Sequence, residues 1–157
     1  GELIKHAIIG NPYLWSILKD KPQITEEIIY ESLSVKKKVV EADEFDTGLR
    51  MILNFGHTFG HVIELKYGYK HGEAVAIGML MALKLGSDLA ITPNEYYNEM
   101  ESILKLYNLP CDYYDYKEYL KDIIHDKKNL SGIINFILVD KIGSTKVYKI
   151  NEETLKE

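Results

Sequence analysis

The sequence predicts a mainly α-helical fold, a multi-helical bundle closed by one small C-terminal β-hairpin. Apolar residues recur at helical spacing through most of the chain. Cap and breaker residues divide that pattern into segments of helix length. Only the tail differs: "IINFILV", "KIGS" and "TKVYKI" are β-branched and aromatic runs around a Gly-containing turn, the pattern of a hairpin.

The elements follow in order. "GELIKHAII" enters an apolar helical pattern at once, with no cap or turn signal before it, as expected of a chain cut inside a larger protein. After "GNP" at 10 to 12, a short helix from Tyr13 to Lys19 runs to Pro22. Thr25 then caps a long helix with Glu26 and Glu27 in its first turn. Its apolar positions Ile28, Ile29, Leu33, Val35, Val39 and Val40 keep helical spacing, and it ends near Asp43 before a "DEFDTG" loop. A third helix is predicted from Leu49 to Leu65 despite Gly56 and Gly60, with "KYGYKHG" as the turn into a fourth from Glu73 to Leu89. Ala74, Gly78, Ala82 and Gly86 place four small residues on one face of that helix, so another backbone can approach it closely. "TPNE" predicts a start with Thr92 as cap and Pro93 in the first helical position, and a helix to about Asn108. Residues 115 to 126 form the last helix.

At 157 residues, 46% hydrophobic and 27% charged, the composition is that of one domain with a real core. The net charge of −5 is mixed along the chain, without the basic stripe that nucleic acid requires. The longest apolar run, Ala74 to Leu83, is far short of the roughly 20 residues that span a bilayer, and reads as a buried helix rather than a membrane segment. With no secretory signal pattern and one cysteine, Cys111, a cytoplasmic location is expected. The tyrosines clustered between Tyr96 and Tyr119 read as packing on half-buried helix faces.

Three of the five histidines fall within "NFGHTFGH" and "HGEAVAIGM", each beside a glycine. On one continuous helix, Arg50, Asn54, His57 and His61 share a stripe on an otherwise apolar surface. Such a stripe must be satisfied by other polar groups, a metal or a ligand, since an unpaired buried group costs on the order of 1 to 3 kcal/mol. Two histidines four apart can present zinc ligands, and His71 from a loop would be a third, leaving one coordination position open. His125 and His6 read as ordinary packed or hydrogen-bonded residues. Gly56 and Gly60 indicate either a close ligand or close helix packing on their side.

"KKKVVEADEFDTGLRMILNFGHTFGHVIE" (36 to 64), "HGEAVAIGM" and "DKKN" (126 to 129) together resemble the C-terminal helical domain of the 3-dehydroquinate synthase family. The resemblance covers essentially the whole chain. It implies a dehydroquinate synthase-like α-domain over residues 1–157, lying after an N-terminal NAD-binding domain that this chain lacks; no GxGxxG loop occurs here. By position it implies Glu2, His57 and His71 as metal ligands, for Zn2+ or alternatively Co2+. His61 then falls on an active-site histidine, so the pair four apart becomes one ligand and one catalytic residue. Lys5 and Asp46 join it as catalytic positions, and Lys36, Arg50, Asn54, Lys127 and Lys128 match positions that hold substrate carboxylate, hydroxyls and phosphate. Asp46 stands where the family usually has Glu. His6 stands where Tyr is more usual, and being four residues after Glu2 it points to a similar side of the helix. The "LKYGYK" loop before His71 is short for the family.

The implied reaction is the shikimate-pathway conversion of 3-deoxy-D-arabino-heptulosonate 7-phosphate to 3-dehydroquinate and phosphate. NAD would be held mainly by the N-terminal domain, and this chain alone is not expected to turn over. The implied partners are a small anionic sugar phosphate and that missing domain. Family members are commonly dimers, so a homodimer of the full-length protein is compatible with the resemblance. Alternative readings are another sugar phosphate cyclase making an inosose or valiolone ring, a metal-dependent polyol dehydrogenase of the same fold, or a non-catalytic zinc-binding helical module.

Overall fold

The structure, a computed structural model, describes residues 2–20, 24–42, 49–127 and 133–151. Among them are α1 (Glu2–Gly10), α2 (Pro12–Leu18), α3 (Glu26–Ala42), a 3-10 helix (Leu49–Asn54), α4 (His57–Tyr67), α5 (His71–Asp88), α6 (Glu95–Leu106) and α7 (Tyr116–Lys127). The strands β1 (Ile133–Lys141) and β2 (Ser144–Asn151) form one antiparallel hairpin, paired from Ile133↔Asn151 to Lys141↔Ser144 with an irregularity at Val139–Lys141. The mainly α bundle with a C-terminal hairpin is therefore observed.

The helix starts follow from capping chemistry. Asn11 Oδ1 accepts from Leu14 N at 3.0 Å to begin α2, and Thr25 Oγ1 accepts from Ile28 N at 3.3 Å to begin α3. At α6 the expectation fails: the helix starts at Glu95, and Thr92 is buried, its hydroxyl donating to Val139 O at 2.6 Å. A threonine there serves β1 better than the helix, because the strand carbonyl is buried and a cap site is not.

α5 is the centre of the molecule. Every residue from Ala74 to Leu83 is buried, which is why the run is apolar on all sides. Phe55, Phe59, Ile63, Leu14, Leu104, Phe136 and Leu138 complete the surrounding core. Gly143 at the hairpin turn donates its N–H to Ile8 O at 2.8 Å, so the hairpin also holds α1.

The predicted third helix is not continuous. Residues Leu49–Asn54 form a 3-10 turn, and α4 begins only at His57. Gly56 between them has φ 82°, a left-handed conformation that breaks the α ladder and favours glycine. Arg50 and Asn54 therefore do not share an α-helical stripe with His57 and His61.

The small-residue face of α5 does meet another backbone. A Cβ at Gly78 would stand 2.6 Å from Gly60 N and 2.9 Å from Gly60 Cα, and one at Gly60 would stand 3.0 Å from Ala74 O. Gly56 and Gly60 thus serve the α4–α5 packing. Across that packing the side chains of His57 and His71, the residues that begin the two helices, meet. Among the described residues no helix is long and apolar enough to cross a membrane.

Candidate metal and substrate site

The site begins where α1, α4 and α5 start. His57 is the first residue of α4 and His71 the first of α5, a helical position rather than the predicted loop. Their rings meet edge to face with centroids 5.4 Å apart. Glu2 opens α1, and Lys5, one turn later, reaches across to α4. The Lys5 ammonium is 3.1 Å from Glu2 Oε1 and 3.5 Å from His57 Nε2. An ammonium has only protons to give, so His57 Nε2 presents its lone pair. Glu2 and His57, 55 positions apart, thus point a carboxylate oxygen and an imidazole lone pair at one cation.

His71 has a partner of its own. Its Nδ1 lies 3.5 Å from Glu64 Oε2, and because a carboxylate only accepts, Nδ1 carries the proton and Nε2 is left with the lone pair. Sequence reasoning missed Glu64. A signal existed: Glu64 is seven residues, or two turns, after His57 and lies on the His57–His61 face.

The electrostatics suit this arrangement. Burial, with the neighbouring Lys5 charge and His71, holds His57 below the ordinary histidine range, so the ring is neutral. For Glu2, burial pushes the carboxyl up, but the charge and hydrogen bond of Lys5, with His6 and His57, outweigh it and leave the group below its usual value. His6 is lowered chiefly by burial and by Lys5.

The other predicted residues divide. His61 sits on α4 one turn after His57 and is exposed. Lys36 is exposed on α3, near enough for its charge to act on His6. Asn54 is exposed at the end of the 3-10 helix. Arg50 and Lys127 lie on described backbone, but their side chains, with Asp46 and Lys128 entirely, are outside the described residues. So is the side chain of His125. His6 is buried, its Nδ1 2.7 Å from Ser32 Oγ.

The donors suit a divalent metal by their chemistry: a carboxylate oxygen and two imidazole nitrogens are the nitrogen and oxygen set that zinc accepts. The Lys5 ammonium already acts as a stand-in cation between two of them. Among the described residues no three His, Cys, Asp or Glu side chains stand close enough together to hold a metal ion as placed. A cavity of about 810 Å³ between the end of α5, α7 and β2 lies away from these residues and is lined by Leu85, Tyr116, Leu120 and Ile150 among others.

Comparison with known proteins points to one family. Residues 1–129 match the family model described as 3-dehydroquinate synthase C-terminal. The chain is 42% identical over 170 residues to a 3-dehydroquinate synthase of Lactococcus lactis subsp. cremoris, and 37% identical over 169 residues to one of Streptococcus mutans serotype c. In both cases all of this chain aligns with 48% of the relative, so it spans about half the length of the curated relatives it matches. The fold is shared with a 2-epi-5-epi-valiolone synthase from Streptomyces hygroscopicus subsp. jinggangensis, solved with NAD+ and Zn2+ bound. That match has TM-score 0.78 and 18% identity, and covers 99% of this chain and 47% of that one. A 2-deoxy-scyllo-inosose synthase, solved with carbaglucose-6-phosphate, NAD+ and Co2+, aligns with TM-score 0.68 at 23% identity over 99% of this chain and 49% of that one.

Proposed function

The chain belongs to the 3-dehydroquinate synthase C-terminal family, and from that premise we propose that residues 1–157 are the metal- and substrate-binding part of a 3-dehydroquinate synthase. The whole enzyme converts 3-deoxy-D-arabino-heptulosonate 7-phosphate to 3-dehydroquinate and phosphate. The observation that carries the reading is Lys5 bridging Glu2 and His57, 55 positions apart, inside the segment that matches the family.

In this reading Glu2, His57 and His71 hold a divalent metal, Zn2+ or Co2+, the ions named with the two structural relatives. Bound there, the metal supplies Lewis acidity toward substrate oxygens. The neutral state of His57 and the protonated Nδ1 of His71 leave both lone pairs ready for it. NAD is held mainly by an N-terminal domain outside this chain.

The remaining residues handle charge and protons. Lys5, Lys36 and Arg50, with Lys127 and Lys128, bind the carboxylate and phosphate of a multiply anionic substrate, and the Arg50 guanidinium can grip an oxyanion through two N–H groups. Asn54 binds hydroxyls. His61, exposed one turn from a ligand, accepts and returns a proton at a substrate hydroxyl. Asp46 keeps an acidic group beside the reacting oxygens. Since a single substrate must be held in several successive geometries, much of the rate comes from orientation.

The test is phosphate release from the heptulosonate phosphate by the full-length protein with NAD and zinc. Turnover that is lost in His61→Ala and in His57→Ala supports the assignment. Activity on a different sugar phosphate, with none on this one, places the protein among the other cyclases; no activity with a metal held by four protein ligands supports the non-catalytic module.

A further inference from the structure

Two buried polar side chains behind Glu2 have no part in the function proposed above. His6 is 3% exposed and Ser32 5% exposed. Across the α1–α3 contact His6 Nδ1 lies 2.7 Å from Ser32 Oγ. On the other side of the ring, Nε2 faces Glu2 Oε2 at 3.4 Å. That nitrogen is fully buried and makes no hydrogen bond of good geometry as the side chains stand, the 3.4 Å contact to Glu2 included. A buried polar atom left so is costly, and the one group in reach that can relieve it is a carboxylate whose side chain is itself 61% exposed and able to turn.

We propose that Ser32, His6 and Glu2 form a hydrogen-bonded relay in which the Ser32 hydroxyl donates to His6 Nδ1 and His6 Nε2–H donates to Glu2 Oε2. His6 and Ser32 are then positioning residues for the ligand Glu2, so the role rests on the metal reading given above. The direction of the relay follows from donor chemistry. An ionised carboxylate only accepts, so Nε2 must carry the proton. Nδ1 is then an acceptor, and of the pair only the serine hydroxyl has a proton to give it. In the opposite tautomer Nδ1–H would turn to the Ser32 main-chain carbonyl, which also faces the ring, and Nε2 would set its lone pair against a negative carboxylate. A bond to a charged acceptor is the stronger of the two.

The consequence is a carboxylate fixed at both oxygens. Lys5 holds Oε1 at 3.1 Å and His6 faces Oε2. Because His6 is anchored by Ser32 in the interior, it ties the exposed first turn of α1 to the buried face of α3. Groups that hold a ligating carboxylate from behind set its orientation, and their loss weakens metal binding.

The tautomer is read first, without metal, by long-range 1H–15N correlation of the His6 ring in this chain. The relay predicts a protonated Nε2 and a bare Nδ1; a protonated Nδ1 overturns it. Titration with Co2+, followed by its visible absorption, then tests the role. A glutamine amide can stand where Nε2–H stands, whereas an asparagine amide reaches only the Nδ1 position. His6→Gln should keep the affinity of the unsubstituted chain, while His6→Asn and Ser32→Ala weaken it about tenfold or more. Equal affinity in all variants overturns the positioning role. If the unsubstituted chain takes up no Co2+, the metal reading is contradicted, and the tautomer alone decides whether the relay exists.

Discussion

Lys5 Nζ lies 3.5 Å from His57 Nε2, joining the first turn of α1 to the first residue of α4. A buried cation aimed at an imidazole lone pair separates two roles that point at the same place, that of ligand and that of competitor for the ligands.

Lys5→Met removes the cation and leaves the donors. Zinc should bind this variant at least as tightly as the unsubstituted chain, because a positive charge beside the metal is lost. Turnover by the full-length protein should fall, since an anion-binding group goes with it. Calorimetry and a phosphate-release assay on the same variant measure the two effects.

Glu64→Leu removes the acceptor for His71 Nδ1–H and frees the ring to turn. Zinc affinity should drop about 10- to 100-fold, with Glu64→Gln falling less because an amide oxygen still accepts. Competition against a metal-sensitive dye measures both.

Gly78→Ala pushes a methyl group against the Gly60 backbone, which has no side chain to move aside. α4 and α5 must separate, at a cost of about 1 to 3 kcal/mol or more. Urea unfolding of Gly78→Ala beside Gly72→Ala isolates the effect, because a Cβ at Gly72 meets nothing within 4 Å.

Thr92→Val deletes the hydroxyl that donates to Val139 O and leaves that carbonyl without it in the interior. A loss of about 1 to 3 kcal/mol is expected in urea unfolding.

Alkaline pH should unfold the chain earlier than carboxylate and histidine chemistry alone would. The Tyr69 phenol is raised by its hydrogen bond to Asp112, Tyr116 by burial and by its bond to Asp88, and Tyr119 by burial and by its bond to Tyr67. A folded-state value above the unfolded one means stability is fully present below about pH 10, the ordinary tyrosine value, and is lost as pH rises toward the folded values. Urea midpoints should be level to pH 9 and fall above it, and Tyr116→Phe should flatten that fall.

The fold was legible where one residue type has one use. The all-apolar run of α5, the Thr25 cap and the hairpin with its Gly-containing turn are such cases. It was misread where two uses compete. Gly56 was expected inside a helix and instead breaks one, because a left-handed φ and a tolerated helical glycine look alike in sequence. Thr92 has the chemistry of a cap but is drawn to a buried carbonyl 47 residues away. The candidate metal set was likewise only half written in spacing: His57 and His61 are four apart, yet it is His71 that meets His57, through an α4–α5 contact made by glycines. Glu2 and Lys5 were named by the family resemblance and not by spacing, and Glu64 joins them only in three dimensions.

The central claim is that Glu2, His57 and His71 bind one divalent metal, and a calorimetric zinc titration of this chain tests it most directly. The account predicts one-to-one binding that is lost in His57→Ala and in Glu2→Ala. Absence of binding, or binding that survives both substitutions, would contradict it.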